Sequence, residues 1–113
     1  MSEDDLDDWS RRAAAAQAKA AHAYARLLSL AETHDSGEAG SVARFLAGTY
    51  DGEAFPFDLT LMRTVDVAIG DDMLACLDAL RWARADLYKL VPDGARRTER
   101  VIERWGMKWP DRG

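Results

Sequence analysis

The apolar positions of this chain recur at helical spacing almost from end to end, and no stretch alternates as a half-buried strand would. Leu6, Trp9, Ala13, Ala16, Ala20, Ala23, Leu27 and Leu30 follow a strict 3-4-3-4 rhythm. That rhythm predicts one long helix over 4–33 with a coiled-coil-like seam. The run from Ala13 to Ala25 is alanine-rich, which gives high helix propensity. Acids crowd the first turn, where they favour the helix dipole. Alanines in the seam let a neighbouring helix approach closely. Such a helix extends ~45 Å, whereas a compact domain of this length has a radius of gyration near ~13 Å. Part of the helix is therefore expected to overhang, which invites a partner or a homodimer through this helix.

Residues 35–40, Asp-Ser-Gly-Glu-Ala-Gly, read as a loop. Ser41 can cap a second helix over 41–50, with Val42, Phe45 and Leu46 inward. Asp51-Gly52 breaks the chain, and Pro56 holds Phe55 extended. Asp58 is a good N-cap for a third helix over 59–69, whose inward set is Leu61, Met62, Val65, Ala68 and Ile69. Gly70 stops it and Asp71 caps a fourth helix over 72–91. Leu80 centres an apolar side of that helix with Met73, Cys76, Leu77, Ala83, Arg84, Leu87 and Val91, while Trp82 falls opposite, beside Asp78 and Lys89. Val91-Pro92-Asp93-Gly94 is a turn. A fifth helix over 94–105 points Thr98, Val101, Ile102 and Trp105 inward and stops at Gly106. The tail, 107–113, either folds back through Trp109 or is disordered. The pattern predicts an all-α fold, a compact bundle of four to five helices in one domain over 1–113. Within it, 1–34 is the long N-terminal helix and 41–106 the helical core.

Charge sharpens the picture. The formal charge is −5, and it is uneven: residues 32–78 hold ten acids and two bases, whereas residues 94–113 hold six bases and three acids. An acidic middle repels a phosphate backbone and suits a partner protein with a basic surface. The single cysteine, Cys76, excludes an internal disulfide and points to a reducing cytosol. The acidic start lacks the basic and apolar regions of a signal peptide, and no apolar run approaches the ~20 residues that span a bilayer. A soluble, cytoplasmic protein without a membrane role is expected.

Candidate chemistry is sparse. Asp71-Asp72 resembles a catalytic carboxylate pair, but neighbouring helical residues diverge by about 100°, and a cap explains them better. Asp51, Glu53, Asp58 and Asp66 lack the alternate spacing of an EF-hand loop. His22, His34 and Cys76 are too scattered for a zinc site; His22 reads as solvated and Cys76 as a small core residue. No nucleophile motif or phosphate-binding glycine loop occurs. No enzyme, cofactor or metal is expected. Arg84, on the apolar side of its helix, would need a partner if buried, with Asp58 or Asp66 the candidates.

Two surfaces remain. Trp82, Asp78, Tyr50, Asp51, Glu53 and Asp72 combine aromatic anchors with negative charge, which suits a protein partner. Phe55 and Phe57 read as core plugs. Arg96, Arg97, Arg100 and Arg104 line one side of the last helix, near Trp105 and Trp109, and form the alternative, a nucleic-acid face of a transcriptional regulator. Glu99 and Glu103 interrupt that face, and net acidity argues against duplex binding.

The central block, Arg44-Phe-Leu-Ala-Gly-Thr-Tyr50, Gly52, Phe57-Asp-Leu-Thr60, Val65-Asp66 and Asp71-Asp72-Met-Leu74, followed by a helix containing Trp105, resembles an uncharacterised family of small helical proteins. They are encoded on bacterial plasmids and integrative conjugative elements. The resemblance covers roughly 41–106 and transfers no catalytic residue. It implies an accessory protein of a mobile genetic element. Many such proteins act by binding host or element proteins, including anti-CRISPR-like inhibitors of host defence.

Overall fold

The computed structural model describes residues 3–110, with side chains from Asp5 onward. Among these residues there are four α-helices, two 3-10 helices and no strand: an all-α bundle, as the apolar rhythm predicts. Helix α1 spans Glu3–Thr33, α2 Gly37–Tyr50, α3 Val67–Trp82 and α4 Gly94–Arg104. One 3-10 helix, Leu59–Thr64, precedes α3, and a second, Leu87–Leu90, follows it.

The most extensive interface joins α1 to α3. The two run antiparallel: Trp9 near the start of α1 meets Trp82 at the end of α3, and Arg26 further along α1 meets Asp72 near the start of α3. The alanine seam explains the pairing. Ala16, Ala20 and Ala23 are buried on α1, and Ala75, Cys76 and Ala79 are buried on α3, so two small-residue faces let the backbones approach. Below the seam, Tyr24, Leu27 and Leu28 join Leu46, Met73, Leu87 and Val101 in the core. Each such large side chain contributes about 1.5–3 kcal/mol when fully buried. The seam is thus filled within the chain. What reaches beyond the core is the first turns of α1, where Leu6 and Trp9 stay exposed. The radius of gyration, 14.9 Å, exceeds the ~13 Å of a compact domain accordingly.

Polar contacts fix the other helices. Arg97 of α4 donates twice to Glu32 of α1, at 3.0 and 2.6 Å. Arg104 donates to the carbonyls of Ala31 and His34 and to Asp35, and the Trp105 indole donates to the Ala31 carbonyl at 2.8 Å. Carbonyls at a helix C-terminus have no intrahelical partner; here α4 caps α1 from outside. The Tyr24 hydroxyl bonds that of Thr98 at 2.7 Å, and Thr98 donates to the Gly94 carbonyl, so the core's polar groups are satisfied.

Several boundaries differ from the sequence reading. α2 begins one turn early: Ser36 is its N-cap, accepting from the Ala39 amide at 3.1 Å. Ser41 lies inside the helix, buried, bonded to the Thr64 hydroxyl at 2.7 Å. Asp58 does cap, but it caps only the short 3-10 helix, accepting from the amide and hydroxyl of Thr60. Those bonds hold its carboxyl below the usual carboxylate range. Asp66 stands at the N-cap position of α3, so Gly70, Asp71 and Asp72 are interior helical residues rather than a stop and a cap. A mid-helix glycine costs about 1 kcal/mol, less than the burial of Met73 and Cys76 gains. α3 ends at Trp82, and Arg84 takes a left-handed conformation with φ 49°. Arg84 is therefore exposed, outside the helix, and pairs with neither Asp58 nor Asp66. Trp109 folds back onto Phe55, with ring centroids 4.8 Å apart; residues 111–113 lie outside the described part.

Candidate functional site

Helix α3 carries more apolar residues than one face can hold: seven of the eight positions from Met73 to Leu80, all but Asp78. Met73, Ala75, Cys76 and Ala79 turn toward α1 and the core. Leu74, Leu77 and Leu80 point elsewhere and remain 56%, 37% and 39% exposed. They form one wall of a groove of about 300 Å³. Leu59 and Met62 of the first 3-10 helix form another, and Phe45, Gly48 and Thr49 of α2, with Phe57, complete the lining. Leu59 is 72% exposed at its edge.

The loop between α2 and the 3-10 helix shapes this groove. Its close approach needs Gly48: a Cβ there would stand 3.1 Å from the Phe55 carbonyl oxygen and 3.2 Å from the Phe57 Cβ. Phe57 then packs edge-on against Phe45, centroids 5.4 Å apart. Thr49, the one polar side chain in the lining, donates to the Leu46 carbonyl at 2.8 Å. The groove therefore offers apolar contact and almost no directed hydrogen bond.

The segment that supplies the lining is acid-rich: residues 44–81 hold seven acids and three bases. Asp72 is taken up by Arg26, in a two-pronged pair at 2.7 and 3.0 Å, and Asp78 by Arg81 at 2.8 Å. Asp58, Asp66 and Asp71 are exposed and form no ion pair with any described residue.

The residues singled out for a protein partner fall into two groups. Trp82 is half-buried: Trp9 packs on it at 4.8 Å, and the guanidinium groups of Arg12 and Arg81 lie 5.4 and 5.7 Å from its ring centroid. Asp78 sits beside it, along α3 from Asp72. Tyr50 closes the other group. Its hydroxyl donates to Glu99 at 2.5 Å and its ring meets Tyr88 and Trp109. The bond to the Glu99 carboxylate pushes the phenol up to about 12. Asp51 turns inward to the amides of Glu53 and Ala54, leaving Glu53 exposed. On the alternative face, Arg97 and Arg104 are engaged with α1, and Arg96 and Arg100 are exposed. Among the described residues no three His, Cys, Asp or Glu side chains gather as a metal site would require. Cys76 is fully buried, and burial pushes its thiol up to about 12.

Helical spacing alone assigns Leu77 and Leu80 to the core and does not single out Leu59 or Leu74. The available signal was the unbroken apolar run of α3, because a helix apolar on more than one side needs more than one neighbour. No helix of the described residues is long and apolar enough to cross a membrane.

The chain belongs to a family of unknown function, DUF7673, which matches residues 21–106. The match takes in the second half of α1 as well as the central block, and so includes the buried Tyr24, Leu27 and Leu28. No curated protein and no solved structure matches the chain.

Proposed function

We propose that this DUF7673 protein is a non-catalytic protein-binding module whose partner docks in the groove between α2, the first 3-10 helix and α3. The observation that carries the reading is the stripe of exposed leucines, Leu59, Leu74, Leu77 and Leu80, along one apolar groove. Contiguous exposed apolar surface marks interaction sites, whereas a folded core gains nothing from it. The acidic stretch around the groove suits a basic partner surface. Trp82, Asp78 and Asp72 lie on the same helix and extend the surface toward α1; Tyr50, Asp51 and Glu53 extend it past the end of α2.

In its sharper form the protein is an accessory product of a mobile genetic element, acts in the cytoplasm, and inhibits a host defence protein. Proteins that handle nucleic acid carry basic surfaces, and an acidic module with an apolar anchor competes for them. Self-association through α1 is left with Leu6 and Trp9, since the alanine seam is already filled by α3.

The test is affinity capture of host proteins by the wild type and by a Leu77→Glu/Leu80→Glu variant, with circular dichroism showing that both are folded. Loss of a stoichiometric partner in the variant supports the reading; retention of the same partner removes it. The second reading, nucleic-acid contact, rests on the exposed Arg96 and Arg100. Tight, salt-sensitive DNA binding lost on Arg96→Ala/Arg100→Ala would replace the first.

A further inference from the structure

The groove also narrows what fills it, an inference that rests on the docking reading above. We infer that its occupant is a basic amphipathic helix of the partner protein. Leu74, Leu77 and Leu80 recur every third residue of α3 and so run ~9 Å along one line. That line matches the span of apolar anchors at i, i+3 or i+4, and i+7 on an opposing helix, the pattern by which helices fill grooves. Leu59 and Met62 supply the second wall that such a helix needs. A small polar ligand would need convergent hydrogen-bonding groups to orient it, and the one polar lining side chain, Thr49, is committed to its own backbone. An added β-strand has no edge to join among the described residues.

Charge selects among helices. Asp58 directly precedes Leu59, and Asp71 stands one turn before Leu74 on α3; these exposed, unpaired carboxylates favour lysines and arginines flanking the apolar stripe. They also oppose a second copy of this chain, which would bring the same unpaired carboxylates against them.

The experiment titrates the full chain with three synthetic peptides of about four helical turns. One has leucines at helical spacing flanked by lysines, the second replaces lysine with glutamate, and the third keeps the first composition with the spacing scrambled. The lysine amphipath is expected to bind roughly tenfold or more tightly than either control, and to weaken as salt rises. It should lose binding in Leu77→Glu and, independently, in Leu59→Glu. Equal binding of the lysine and glutamate peptides, binding indifferent to Leu77 and Leu59, or no binding by any peptide overturns the inference. So does a dimer in sedimentation that Leu77→Glu dissolves, because the occupant is then a second copy. If no peptide binds but capture of the host partner still depends on Leu77, the helix inference falls and the docking reading stands. If capture also ignores Leu77, both fall.

Discussion

Helix α3 has two apolar sides with opposite characters. The side against α1 is built of Ala75, Cys76 and Ala79 with Met73, all buried. The other carries the larger Leu74, Leu77 and Leu80, all exposed. A lone domain optimised only for stability would reverse this, burying leucines and exposing alanines, because burial gain rises with apolar area. The small side serves close packing on α1; under the docking proposal the large side is kept for a neighbour outside the chain.

The contrast is broken most severely from the buried side. Met73→Ala should cost about 2–5 kcal/mol of stability, seen as a lower denaturation midpoint, because Met73 is fully enclosed. Next comes the Cys76 thiol, raised by burial to about 12. Its protonated form is the one the fold favours, so its contribution is complete below the ordinary thiol value near 9 and is lost as pH rises from 9 toward 12. The expected loss is on the order of a few kcal/mol; in addition, a thiol reagent should label Cys76 only as the protein unfolds. Gly48→Ala should cost about 1 kcal/mol, since Phe55 and Phe57 meet the new methyl with backbone and Cβ atoms that cannot rotate away. It should also weaken partner binding by displacing the groove wall. Leu77→Ala should cost about 1 kcal/mol, well below Met73→Ala because Leu77 is only partly covered, and yet reduce partner capture. A large stability loss at Leu77, or none at Met73, would erase the distinction between the two sides.

What was legible in the sequence was local. α1 and α4 could be read because their rhythm and the breakers around them agree, and Thr98, Val101 and Ile102 point inward as their spacing predicts. The start of α3 was hidden because Gly70-Asp71-Asp72 looks like a stop followed by a cap. Here the tertiary structure overrides that signal, through Arg26 gripping Asp72 from 46 positions away and α1 covering Cys76. The same distance effect hid the roles of Arg97 and Arg104, which read as a basic face until folding brings Glu32 and the end of α1 to them. The groove was missed for a different reason. Leucines on a helix look like core until the partner helix's position is known, and α1 chose the alanine side.

The most direct test is a methyl-resolved NMR titration of the full chain with the lysine-flanked amphipathic peptide. Docking in the groove should make the methyl signals of Leu59, Leu74, Leu77 and Leu80 shift together and saturate, while those of Ala20, Ala23 and Ala79 in the α1–α3 seam stay in place. Shifts confined to the seam or to the Arg96–Arg100 side of α4, or leucine signals that never move, would contradict it.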